Sequence, residues 1–234
     1  QLLGFQDYQF YHLPAKNYHQ QRIWVDKDFP DLADLPLPHH AQFIVERIES
    51  LYDLNLPILV LFTSKELLLE VSENLSLQHL AQYKNGDASN IKRRFDRGEA
   101  QILLGTGSFW EGTDFSSQDK MIQIITRLPF DNPQNVFTQK MNRRLRLEGK
   151  TPFYDYSLPV AILRLKQALG RTVRHRKQQS AVLILDNRVY TKRYSRQIRG
   201  VLSKTAPIEQ SSFHQIRQDI GLYFKKKIVK KKNE

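Results

Sequence analysis

Gln167-Ala-Leu-Gly170-Arg171-Thr-Val-Arg174 sets an amide and two guanidiniums at spacings of four and three residues. On a helix, those spacings share one face. A guanidinium offers a planar fork of donors to two phosphate oxygens and never loses its charge. Offered from outside a nucleotide site, it stabilises the charge of a transferring phosphoryl group, an effect of about 10³–10⁵ in rate in GTPase systems. The opposite face keeps Ile162, Leu165 and Leu169 for a core. Gly170 costs about 1 kcal/mol of helix propensity against alanine, which points to a close approach there. Spacing alone leaves two readings open, a phosphate clamp and a solvated basic helix face. Nothing else in the chain holds the remainder of a nucleotide, so the stretch reads as half of a nucleoside triphosphate site.

Two further segments carry polar chemistry. Gly105-Thr-Gly-Ser-Phe-Trp-Glu-Gly-Thr-Asp-Phe115 is a glycine-rich loop with hydroxyls at Thr106, Ser108 and Thr113, aromatics at Phe109 and Trp110, and acids at Glu111 and Asp114. Hydroxyls and backbone N–H groups suit a phosphate backbone, and aromatic faces suit stacked bases. Core packing is the competing account of both rings, and the preferred one for Phe109. Phe62-Thr-Ser-Lys65 adds small hydroxyls and a lysine, and is a weak signal alone.

Other apparent motifs fail on context. Glu148-Gly149-Lys150-Thr151 ends like a P-loop, but Arg144 stands where the first glycine belongs and Pro152 follows. Gly105-Thr-Gly107 resembles the opening of a dinucleotide fingerprint, but Trp110 occupies the third glycine position. The seven histidines show no spacing suited to a metal, and no metal site is assigned.

The elements that must position these groups follow from apolar patterning. The runs Ile58-Leu-Val-Leu-Phe62, Gln101-Ile-Leu-Leu104, Met121-Ile-Gln-Ile-Ile125 and Ala181-Val-Leu-Ile-Leu185 read as strands buried on both faces. Helices are expected over 41–53, over 65–75, from a cap at Ser89 to Arg97, from Asn132-Pro133 into a basic cluster, and from Pro159 to Leu169. A last amphipathic helix, capped by Ser211 or Ser212, shows Phe213, Ile216, Ile220 and Tyr223 on one face. Alternating short strands and helices predict an α/β fold with a mainly parallel sheet covered on both faces. Ligands then bind beyond the carboxyl ends of the strands, where Thr63-Ser64-Lys65, the 105–115 loop and Asp186-Asn-Arg188 lie. The expected division is an irregular lead-in and linker over 1–40, with one short strand candidate at Arg22-Ile-Trp-Val25, then a lobe over 41–205, then a helix and basic tail over 206–234.

Composition bounds the function classes. The 234 residues carry a formal charge of +12. The segment 225–232 holds six of the lysines, leaving +6 for the remainder, a mildly basic body that suits a polyanionic partner. With no cysteine, disulfides and thiolate-held metals are excluded within this chain, which fits a reducing, cytoplasmic setting. No apolar run approaches the roughly 20 residues that span a bilayer. The sequence begins at Gln1 without a signal pattern and reads as a piece of a longer polypeptide.

In order, Leu61-Phe-Thr-Ser64, Gly86-Asp87, Ile102-Leu-Leu-Gly-Thr-Gly-Ser-Phe-Trp-Glu-Gly-Thr-Asp114, Arg127-Leu-Pro-Phe130, Leu158-Pro-Val-Ala161, and Gln167-x-x-Gly170-Arg171-x-x-Arg174 resemble the second helicase lobe of the DinG/XPD family of superfamily 2 DNA helicases. The likeness runs from about Arg22 to Leu202 and leans towards the bacterial DinG branch. It implies a RecA-like three-layer α/β/α lobe, paired in the parent with a first lobe that supplies the P-loop and the acidic metal-binding motif. ATP and Mg²⁺ then belong to the full-length protein, and none is bound by this fragment alone. The resemblance places Gln167, Arg171 and Arg174 at the γ-phosphate. The loop with Glu111, Gly112 and Asp114 couples nucleotide to DNA, beside Gly170. It sets Thr63, Ser64 and Thr106 on the backbone of single-stranded DNA, with Lys65, Ser108 and Trp110 beside them, and Asp186 and Arg188 as an orienting pair. It implies no membrane partner and tracking from 5′ to 3′. The chain departs from the family at Ala168, a mild change because alanine is small, at Thr172-Val173, and at Lys177-Gln-Gln-Ser180, read as altering a connection more than a site; none removes a catalytic group. The alternative is a non-catalytic nucleic-acid-binding module with a degenerate nucleotide site.

Overall fold

Four apolar runs form the middle of one sheet. The structure, a computed structural model, describes residues 20–33, 35–115, 117–173 and 177–225. Its strands are β1 (Gln21–Asp26), β2 (Ile58–Leu61), β3 (His79–Ala81), β4 (Ile102–Gly105), β5 (Lys120–Ile125), β6 (Gln179–Ile184) and β7 (Ile208–Ser211). They run in the order β3-β4-β2-β5-β6-β1-β7, and every pairing is parallel. The predicted runs supply β4, β2, β5 and β6. The Arg22–Val25 candidate becomes β1, an interior strand between β6 and β7. The sheet therefore takes in residues on both sides of 41–205.

Nine α-helices are described: α1 (Leu37–Tyr52), α2 (Lys65–Asn74), α3 (Ala88–Asp96), α4 (Ser108–Glu111), α5 (Val136–Leu147), α6 (Leu158–Leu169), α7 (Arg188–Thr191), α8 (Ser195–Leu202) and α9 (Phe213–Lys225), with a π-helical turn over Phe153–Ser157 leading into α6. Period-two alternation along the strands divides the core between two faces. Ile58, Val60 and Phe62 meet α1, α2 and α9 on one face. Leu59 and Leu61 share the other with Ile91 of α3, Phe109 of α4, Leu165 of α6 and Ile198 of α8. The result is the expected three-layer α/β/α arrangement.

Helix ends differ from the sequence reading where a cap outcompetes a pattern. Helix α1 starts at Leu37 inside the proline-rich stretch, because a proline is tolerated in a first turn. Asp87, and not Ser89, caps α3 by accepting from Asn90 N at 2.8 Å. Asn135 caps α5 three residues beyond Asn132, accepting from Phe137 N. Ser212 serves α9, accepting from Gln215 N at 3.4 Å. The Glu148-Gly149-Lys150 stretch is the C-terminal end of α5, with Lys150 paired to Glu148, and has no phosphate-cradling geometry.

Candidate functional site

Helix α6 stops at Leu169, and Gly170 forms its C-cap. Arg171 therefore lies in the turn beyond the helix and does not continue the helical face of Gln167, a correction to the spacing argument. The physical reason is the glycine, which weakens the helix where the chain must turn towards β6. Arg174 lies outside the described residues. Gln167 is half-buried on the last turn of α6. The Arg171 side chain reaches back and donates from Nη2 to the Glu111 carbonyl at 2.5 Å. Its Nε is buried without a hydrogen-bond partner.

The loop that Arg171 touches is rigidly made. A Cβ on Gly105 would lie 2.3 Å from the Phe109 ring, so only glycine lets that ring pack on the end of β4. Gly107 turns the chain into α4 at φ +48°, a conformation that disfavours side chains. Trp110 is buried, and its Nε1 donates to Phe62 O at 2.8 Å, tying the loop to the end of β2. The indole is thus a fixture of the loop and offers no face for base stacking. Glu111 is exposed and faces Arg164 at 3.5 Å, and Arg164 also holds Asp131 and the Pro129 carbonyl. Gly112, Asp114 and Gly170 are exposed around the same junction.

Beneath the end of α6 runs a row of buried neutral groups that the sequence reading missed. Gln21 of β1, Ser180 of β6 and Gln123 of β5 share one face of three neighbouring strands. Gln21 Nε2 donates to Leu169 O at 3.0 Å, and Gln123 Nε2 to Ala168 O at 3.1 Å. Thr172 Oγ1 joins both amides and Ser180 Oγ. Helix ends leave carbonyls short of intrahelical partners, and these amides bond Leu169 O and Ala168 O, the latter also accepting from Arg171 N, while fixing the turn that carries Arg171. Gln178, also buried, donates to Phe115 O and Gln118 O. The Lys177-Gln-Gln-Ser180 stretch therefore does more than alter a connection: it anchors the site from below. Its signal in the sequence is the polar interruption of apolar strands at Gln123 and Ser180.

Across the C-terminal edge of the sheet, the pairing of β2 with β4 brings the other candidates together. Thr63, Lys65 and Ser108 are exposed. Thr106 is buried, with its hydroxyl between Gln82 Oε1 and Tyr83 Oη. Ser64 caps α2 by accepting from Leu67 N. Lys65 Nζ lies over the Tyr83 ring at 4.9 Å. Further along, Asp186 is fully buried after β6, and both its oxygens bind Arg188, one also accepting from Leu128 N at 2.8 Å. His40 of α1 packs here. Burial first, and the Arg127 charge second, hold its imidazole down to about 4, so it is neutral near pH 7.

The acids of the site do not suit a resident metal. Asp186 is saturated by Arg188 and Leu128 N, and Glu111 faces Arg164. Among the described residues, no group of three or more His, Cys, Asp or Glu could hold an ion. No helix among them is long and apolar enough to cross a membrane.

Comparison with known proteins places the chain in a family. Residues 48–205 match the model of the helicase C-terminal domain. The chain is 32% identical over 201 residues to "3'-5' exonuclease DinG" of Bacillus subtilis, covering 82% of this chain and 22% of that protein. It is 28% identical over 195 residues to "ATP-dependent DNA helicase YoaA" of Haemophilus influenzae, covering 78% of this chain and 30% of that protein. The chain thus spans less than a third of these relatives. Among solved structures, "XPD_Helicase" superposes with a TM-score of 0.60 at 16% identity, covering 82% of this chain and 35% of that one. That likeness concerns the fold. The chain belongs to the helicase C-terminal domain family, as a RecA-like second lobe of the DinG/XPD type.

Proposed function

We propose that this chain is the second motor lobe of an ATP-dependent DNA helicase. It closes on ATP held by a first lobe of the same polypeptide, presents Gln167, Arg171 and Arg174 to the γ-phosphate, and binds single-stranded DNA along the strand ends at Thr63, Lys65 and Ser108, with Ser64 and Thr106 holding the loops that carry them. The observation that carries this reading is the bond from Arg171 Nη2 to the Glu111 carbonyl. Guanidinium has five N–H donors, and this bond uses one, leaving others for phosphate oxygens. Charge developing on the γ-phosphate would be stabilised by such preorganised donors. The Mg²⁺ that accompanies the triphosphate is assigned to the acids of the other lobe.

The same bond supplies a route for coupling. Glu111 ends α4, and α4 begins at Ser108, directly after the strand end that carries Thr106. A shift of Arg171 on loss of phosphate would move α4 and with it the DNA-facing hydroxyls. Gln21, Gln123, Thr172 and Ser180 act as positioning residues that keep the Arg171 turn in place beneath the nucleotide.

The test is steady-state ATP hydrolysis by the full-length parent with saturating oligo-dT. Arg171→Ala should lower kcat by about 10³ or more while leaving the Kd for oligo-dT unchanged. The isolated chain should hydrolyse no ATP. Turnover by the isolated chain, or an unaltered kcat in Arg171→Ala, would overturn the reading. A parent coding sequence without an upstream P-loop would favour the non-catalytic module instead.

A further inference from the structure

Arg127-Leu-Pro-Phe130 has no role in the site described so far. Strand β5 continues past its end, with Thr126 N donating to Leu61 O at 3.1 Å, so Thr126 and the end of β2 stay in register. Thr126 and Leu128 are buried, and Leu128 N is held by Asp186. Between these two pinned residues, Arg127 is exposed at the C-terminal edge of the sheet. The register sets it beside Thr63 on one side and the Asp186–Arg188 pair on the other.

Three carboxylates of this region are engaged elsewhere. Asp186 binds Arg188, Asp26 binds Arg47, and Asp131 binds Arg164. Among the described residues, no carboxylate lies within ion-pair distance of Arg127. Its charged neighbours are Arg188 and, through both oxygens already bonded, Asp186. Partial burial first, and Arg188 second, hold the Arg127 guanidinium below its ordinary range. Beside it, the His40 Nε2 is buried without a partner. A rigidly presented arginine next to like charge gains most from an anion that arrives from outside.

We infer that Arg127 is a further phosphodiester contact for single-stranded nucleic acid, extending the row of Thr63, Lys65 and Ser108 from β2 and β4 across β5. The inference rests on the strand-end reading of nucleic-acid binding given above. It predicts a contact that is sequence-independent and salt-sensitive, since an arginine on phosphate carries no base information.

The experiment is fluorescence anisotropy of this chain with labelled oligo-dT lacking a terminal phosphate, across a salt series. Arg127→Ala should raise Kd about tenfold, as for one lost charged hydrogen bond. It should also lower the slope of log K against log salt by about 0.7. Arg127→Lys should keep the slope and lose part of the affinity, because the charge remains and the fork does not. Arg217→Ala, on the far helix α9 and paired with Asp53, should leave the slope unchanged. Thermal unfolding of Arg127→Ala should match the parent chain, since no partner is lost. Unchanged Kd and slope in Arg127→Ala, or an equal loss in Arg217→Ala, overturns the inference while the strand-end reading stands. Competition by inorganic phosphate alone, with oligo-dT binding indifferent to Arg127, would assign the residue to a nucleotide phosphate and likewise overturn it. Failure of the unaltered chain to bind oligo-dT removes both readings together.

Discussion

Towards the end where β1, β5 and β6 begin, Gln21 and Gln123 hold the end of α6, and Ser180 holds Thr172 beyond it, with neutral hydrogen bonds. At the opposite end, Asp26 and Asp186 hold their surroundings with charge, through Arg47 and Arg188. The two ends belong to the same strands, and their chemistry differs with their task. Neutral amides fix the Arg171 turn in a way that salt and pH barely touch. Charged groups at the other end commit Asp186 to Arg188 and leave Arg127 exposed, which is why the proposed anion contact falls there.

The comparison can be broken most forcefully at the charged end. Asp186→Ala removes the partner of Arg188 and the acceptor of Leu128 N, and should cost about 3 kcal/mol or more in urea denaturation. A loss below about 1 kcal/mol would show that Arg188 finds water or another partner. At the neutral end, Gln123→Leu removes a donor to Ala168 O, which keeps Arg171 N, and an acceptor of Thr172 Oγ1, and should cost about 1 kcal/mol, equally at low and high salt. Salt dependence there would mean that the row is not the neutral device described. Third comes pH. His40 titrates near 4 in the fold against 6.5 for an exposed imidazole, so the unfolded chain takes up the proton first as pH falls. Its contribution is complete above about pH 6.5 and lost progressively towards pH 4, on the order of 2 kcal/mol by about pH 5. A His40→Gln chain should show a flatter melting profile over that window, and an unchanged profile would assign the acid loss to other groups. Smallest is Glu209→Ala, which breaks a pair with Arg22 in which both side chains are about 40% exposed, and should cost about 0.5 kcal/mol.

Much of the fold was legible because central parallel strands are apolar throughout. Ile58, Leu103, Ile124 and Leu183 lie in runs whose every residue had to be buried. β3 and β7 escaped for different reasons: His79-Leu-Ala81 is buried at two positions but only three residues long, and Ile208-Glu-Gln-Ser211 buries little and shows no apolar run. The Arg22–Val25 run was visible as a strand, but its neighbours were not, since β1 pairs with residues some 160 positions away. Local spacing set Gln167 and Arg171 on one helical face and misjudged how the chain carries them, because a C-cap at Gly170 depends on where the chain goes next. The amide row was illegible for the same reason as β1. Gln21 and Leu169 meet across 148 residues, and nothing in either neighbourhood names the other. Trp110 looked like a stacking surface because its burial depends on the Phe62 carbonyl, a partner 48 residues away.

The insertion of β1 between β6 and β7 has a consequence for how the chain is made. During synthesis, residues 21–26 emerge before either of their neighbours, and must wait for 179–184 and then 208–211 before the edge of the sheet can close. Closure of such long loops is slow, and an open edge during the delay is a template for wrong pairing. A polypeptide cut to 48–205 would lack β1 and β7 altogether, leaving β6 as a bare apolar edge. It would also lack Gln21, so the stretch that defines family membership would fold, if at all, with its arginine turn unsupported and with a strong tendency to aggregate.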